Sequence, residues 1–118
     1  MAKRAYIMQT GMGVDVHGAD ATTAARRAVD EAIRHNSLLF LRQIGLESAD
    51  QIKVDVTIAC PRHETVDTAA VADVLPVGQV SVRTEPGGML ANTSTSGDPM
   101  LIALAAVLLS IDDESKSS

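Results

Sequence analysis

Met100-Leu-Ile-Ala-Leu-Ala-Ala-Val-Leu-Leu-Ser-Ile111 decides what kind of fold this chain adopts. Asp98-Pro99 in front of it is a good helix start, because the fixed φ of proline suits the first helical position, and Ala and Leu favour helix. The run is nevertheless apolar on all sides, with Ile102, Val107 and Ile111 bounded by a polar loop and by charge. A central strand buried on both faces reads the same way. The segment is also too short to span a bilayer. Its own residues leave helix and strand both open.

The rest of the chain is more explicit. Ile52, Val54, Val56 and Ile58 alternate with Lys53, Asp55, Thr57 and Ala59, which predicts a half-buried strand stopped by Pro61. Val77, Val80 and Val82 predict a third strand over Gly78 to Thr84, closed by Pro86-Gly87-Gly88. Ala21, Ala24, Ala25, Ala28, Val29, Ala32 and Ile33 recur at spacings of three and four, with Arg26, Arg27, Asp30, Glu31 and Arg34 between them. That is an amphipathic helix over Ala21 to His35, with Asp20 as its N-cap. After Asn36-Ser37, Leu38 to Ile44 reads as a short continuation ended by Gly45, and Ser48 to Asp50 as a loop. Val66 to Leu75 gives a short helix capped by Thr65 or Asp67, and Asn92 to Gly97 is a Ser/Thr/Gly loop. At the front, Ala5 to Met8 forms a strand leading into a glycine-rich loop, Gly11 to Asp20, through which the alternation of Val14/Val16 with Asp15/His17 indicates that extended backbone continues.

Composition narrows the function classes. With 118 residues the chain suits one domain, here 1–112, followed by a tail over 113–118. Hydrophobic residues make up 46% but aromatics only 2%, so the core is built from Ala, Val, Leu, Ile and Met. A small domain gains burial by associating, which favours an oligomer. The net charge of −5, with no basic run beyond Lys3-Arg4 and Arg26-Arg27, argues against nucleic acid, and Tyr6 and Phe40 offer no stacking platform. The lone Cys60 excludes an internal disulfide and a Cys-rich zinc site. No signal-peptide layout or membrane-length segment is present in the sequence, so the expected setting is cytoplasmic, with no membrane partner.

The run Gly11-x-Gly13-x-Asp15-x-His17-Gly18 resembles the signature of a small conserved-hypothetical family, the Lin-type family of unknown function. The similarity continues through Asp20, Thr22, Ala24-Ala25 and Asn36-Ser37, then more loosely through Pro76-x-Gly78 and Gly87-Gly88. The order of elements also resembles the chorismate-mutase-like fold shared by enamine/imine deaminases and ring-opening amidohydrolases. That resemblance implies a strand at Met100 to Ile111 and hence an α+β single domain. Its four-stranded mixed sheet would carry one long and one short helix on one face, in the order β-α-β-α-β-β. It also implies a homo-oligomer, a trimer in the first instance, with ligand sites in clefts between subunits. A D-x-H pair in a similar GxGxDxH run binds a divalent metal in the trimeric cyclodiphosphate synthase of isoprenoid biosynthesis.

The residues themselves support several chemistries. In extended backbone Asp15 and His17 point the same way, so the pair could act as a catalytic acid and base or hold a divalent metal, given a third ligand from elsewhere. Gly11, Gly13 and Gly18 permit a close backbone approach to a ligand, and Asp20 stands beside them. Arg62 and Arg83 near strand ends could clamp a carboxylate or phosphate, with Gly87 and Gly88 shaping the same rim. Cys60 with His63 is a nucleophile pair only if exposed; the apolar strand before it makes Cys60 more easily a buried side chain. The expectation is a small oligomeric enzyme or small-molecule binder with sites at subunit interfaces, a hydrolase or lyase for a small anionic or cyclic nitrogen compound. The alternative is a non-catalytic assembly protein, or a subunit of a hetero-complex, in which Asp15 and His17 only tie the first strand to the long helix.

Overall fold

Met100–Asp112 is a strand, and three of the other four strands pair with it. The computed structural model describes residues 3–16, 20–34, 52–75, 79–91 and 99–112. His17, Gly18, the continuation at 38–44, the loops at 48–50 and 92–97 and the tail at 113–118 lie outside the described residues. In chain order the elements are β1 (Lys3–Asp15), α1 (Ala21–Ile33), β2 (Ile52–Ala59), a 3-10 turn (His63–Thr65), α2 (Thr68–Ala72), β3 (Gln79–Glu85), β4 (Met89–Ala91) and β5 (Met100–Asp112). The fold is mixed α+β, with two α-helices among the described residues, both on one face of the sheet.

Spatial order in the sheet is β1-β5-β2-β3, with β4 beside β5 beyond the end of β2. β5 runs antiparallel to β1, β2 and β4, while β2 and β3 are parallel and joined through α2. Among the described residues the sheet has five strands in place of the expected four. The additional one, β4, is three residues long, too short to show a period of two. Gly88, at φ 66°, makes the turn that brings β4 back onto β5, and a Cβ there would strike the Ile102 carbonyl.

The helix side of the sheet holds the core. Val54, Val56 and Ile58 of β2 and Leu101, Ala103, Ala105, Val107 and Leu109 of β5 are buried there beneath Ala24, Ala25, Ala28, Val29 and Ala32 of α1. Burying a side chain such as Ile58 or Leu101 contributes roughly 1.5–3 kcal/mol. α1 ends at Ile33 rather than His35, and α2 covers only Thr68–Ala72 of the expected Val66 to Leu75, with Asp67 as its cap.

The first strand extends further than the expected loop at Gly11 allows, in keeping with the extended backbone read from the Val14/Asp15 alternation. Gly11 to Asp15 belong to β1, whose pairing with β5 shifts register once, between Ala5 and Ile7, and then continues without interruption through Asp15 opposite Leu101. The glycines are needed for packing. A Cβ on Gly13 would collide with the Ala24 carbonyl and the Ala28 nitrogen, and one on Gly11 with the Ala28 carbonyl and the Ala32 nitrogen. Glycines on the strand and alanines on the helix let two backbones approach where ordinary side chains would hold them apart.

Candidate functional site

The strand registers bring most of the expected site residues to one end of the sheet. Asp15 closes β1 opposite Leu101, Ala59 pairs with Leu104 and with Glu85, and Met100 begins β5. The ends of β1, β2 and β3 therefore lie together, beside the start of α1. Asp15, Asp20, Arg62, Gly87 and Gly88 belong to this end, and Arg83 sits two residues inside it.

Asp15 is only 8% exposed, and its carboxylate is engaged on both sides. Oδ2 accepts the Asp20 backbone N–H at 2.7 Å, and Oδ1 lies 3.8 Å from Nη1 of Arg27. The same guanidinium nitrogen donates to the Val14 carbonyl at 2.6 Å. Asp20 in turn caps α1: Oδ1 accepts from the N–H groups of Thr22 at 3.0 Å and Thr23 at 3.5 Å, and Oδ2 accepts the Thr23 hydroxyl at 2.9 Å. Thr22 Oγ1 then accepts the Asp67 N–H at 2.9 Å, which couples α1 to the cap of α2. This chain of bonds fixes where α1 begins relative to both β1 and α2. His17, the expected partner of Asp15, lies outside the described residues.

Arg62 is exposed and adopts the left-handed conformation at φ 58°, while its carbonyl accepts from the Thr65 N–H and hydroxyl at 2.9 and 2.7 Å. Among the described residues no group pairs with its guanidinium. Arg83 is exposed on β3 and pairs with Glu85 at 3.2 Å. Cys60 is fully buried, and burial, with the Glu64 carboxylate adding to it, pushes its thiol above the ordinary value. A buried neutral thiol is a poor nucleophile. His63 lies instead 3.4 Å from the Thr84 hydroxyl. Among the described residues no three His, Cys, Asp or Glu side chains gather as metal ligands.

Sequence reasoning missed a feature on the far side of the sheet. A recess of about 430 Å³ crosses it, lined by Thr10 and Met12 of β1, Leu104 and Ala106 of β5, and Thr57 of β2, with Glu31 and Glu85 at its margins. Around it, Met8 is 60% exposed, Met12 50%, Met89 57% and Leu104 47%. The signal existed in the sequence: positions 8, 12, 104 and 108 are apolar and fall on the face opposite the core once β1 and β5 are read as strands. Glu31 also reaches over the outer edge of β1, where Oε1 accepts the Met12 N–H at 2.6 Å.

No helix among the described residues is long and apolar enough to cross a membrane. No curated protein matches the chain. A solved structure does: the crystal structure of an FtsZ-like protein of unknown function from Nostoc punctiforme PCC 73102 is 38% identical, with a TM-score of 0.82, over 95% of this chain and 98% of that one. A family model described as conserved hypothetical protein (Lin0512_fam) matches residues 5–109, which include most of β1 with its Gly11-x-Gly13-x-Asp15 run, the α1 cap and most of β5. The chain belongs to that family.

Proposed function

We propose that the chain is an assembly protein that works as a homo-oligomer, with the Gly11-x-Gly13-x-Asp15 run serving its fold. The observation that carries this reading is the exposure of Met8, Met12, Met89 and Leu104 together on the sheet face that, among the described residues, bears no helix. A contiguous apolar face of this kind marks an association surface. The engagement of Asp15 supports the second half of the reading, since a carboxylate tied to Asp20 and Arg27 is positioned to hold a helix start.

Size-exclusion chromatography with light scattering tests it directly. The expected result is a mass that is a whole multiple of 12.4 kDa at micromolar concentration. Asp15→Asn should keep that mass and melt at a lower temperature. A strictly monomeric parent chain would refute the assembly reading.

The recess favours a second reading, a small-molecule binder with its site at a subunit interface. Thr10, Thr57, Glu31 and Glu85 would supply hydroxyl and carboxylate groups over an apolar floor, and association through the same face would enclose them. A melting-shift screen with small amines and alcohols on the parent and on Thr57→Val tests it: a shift in the parent that Thr57→Val removes supports it.

A further inference from the structure

The register of the open face defines cross-strand rows. One row is Thr10, Ala106, Thr57 and Arg83; the next is Met12, Leu104, Ala59 and Glu85. On β1 and β5 the first row is a trough of short side chains, and the second is a ridge. A further ridge, Met8 and Leu108, lies on the other side of the trough. The geometry points to pairing of this face with the same face of a second copy, about a twofold axis lying in the interface, perpendicular to the strands and between the two rows. This rests on the assembly reading and adds the surface, the partner and the symmetry.

Such an axis reverses position along the strands and preserves position across them. Leu104 then stands over Ala106 of the partner subunit, and Met12 over Thr10 of the partner subunit. Ridge enters trough, and the twofold repeats each contact. On β3 the same operation sets Arg83 opposite Glu85 of the partner subunit, so the single exposed pair within one chain becomes a four-charge rim. Aligned sheet packing rotates the strands by about 30°. That leaves contacts near the axis in place, and the long Arg83 and Glu85 side chains can span the offset further out.

Area and the charges of the β3 rim agree with a second copy as the occupant. Two strands of 13 residues, one of eight and one of seven make up most of the face. At about 3.3 Å per residue and about 4.8 Å between strands they present about 650 Å². About that axis residues 3–6 of β1 and 79–82 of β3 have no counterpart in the second copy. The pair therefore buries less than the whole face, at the low end of the roughly 600–1,000 Å² per partner that specific interfaces bury. The chain carries a net charge of −5, yet this face holds Lys53 and Arg83 against Asp55 and Glu85, with Glu31 at its outer margin on the β1 edge. Opposite charges meet at the β3 rim, while the β1 edge carries Glu31 in each copy.

Light scattering on the parent chain, Leu104→Arg, Met12→Lys, Arg83→Glu and the exchange Arg83→Glu/Glu85→Arg tests the pairing. The parent should have twice the chain mass. Leu104→Arg and Met12→Lys should each weaken association at least about 100-fold, because a charge at the centre would have to be taken out of water and would displace the ridge from the trough. Both sites are half exposed in the single chain, so circular dichroism of the variants should match the parent. Arg83→Glu should weaken association up to about fivefold, in keeping with an exposed rim pair, and the exchange should restore it. A monomeric parent overturns the assembly reading and this inference together. An oligomeric parent with unaffected Leu104→Arg and Met12→Lys overturns only the choice of face. A trimeric parent, or an exchange that fails to restore Arg83→Glu, overturns the twofold axis.

Discussion

The two faces of this sheet are made from the same strands and obey opposite rules. On the helix side, β5 presents Leu101, Ala103, Ala105, Val107 and Leu109 to α1, all buried. On the other side it presents Ile102, Leu104, Ala106 and Leu108, which are just as apolar yet partly or largely exposed. Hydrophobicity therefore does not tell the two faces apart. The difference is whether the described residues supply a cover. On one face they do so with a helix so closely seated that two glycines are required beneath it.

The largest expected break is on the covered face. Gly13→Ala forces a Cβ into the backbone of α1, and overpacking against an element that cannot yield should cost about 3 kcal/mol or more, read by urea denaturation. If Gly13→Ala is as stable as the parent, the close seating of α1 is wrong. Next is Asp15→Ala, which leaves the Asp20 N–H without its acceptor and should cost about 1–3 kcal/mol on the same measurement. On the open face, Leu104→Gln in a dissociated chain should change stability by no more than about 0.5 kcal/mol, because no partner within the chain is lost. A large loss there would mean that the face is covered from within.

The smallest effect sits at Cys60. Its folded pKa is raised, so the thiol form is favoured by folding and the associated stability is full below the ordinary thiol value. It is lost as pH rises past that value towards the folded one. Melting temperature should fall more steeply above about pH 8.5 in the parent than in Cys60→Ala. Equal slopes would show that the thiol does not contribute.

Much of the fold was legible because its signals are local. The alternation of Ile52 to Ala59 marks β2 to the residue, and the spacing of Ala21 to Ile33 marks α1. β5 was open on its own residues, since a strand apolar on both faces has no period; only the resemblance to known folds pointed to strand. Gly11 and Gly13 misled for a different reason. Glycine in sequence signals that a backbone comes close but not what it comes close to, and here that is a helix. At the candidate site, the cap role of Asp20 followed from its position before the helix. The bond from Asp15 to the Asp20 N–H, and that from Thr22 to the cap of α2, depend on where separate elements meet. The open face was missed because exposure depends on what the rest of the chain leaves uncovered.

The outer edge of β1 has a consequence for solubility. An unpaired strand edge offers N–H and C=O groups to any extended peptide, and such edges seed indefinite growth. Glu31 occupies the N–H of Met12 and Arg27 the C=O of Val14, two places on that edge where an incoming strand would bond. A newly made chain with a bare apolar face is in danger of sticking by whatever route is fastest. With these two side chains in the way, strand addition is obstructed at this end of the edge and stacking is not. A face-to-face twofold pair has used up its sticky surface once formed, whereas strand addition leaves a fresh edge each time. Glu31 and Arg27 thus act as a guard against fibre-like growth, on the same helix that covers the core.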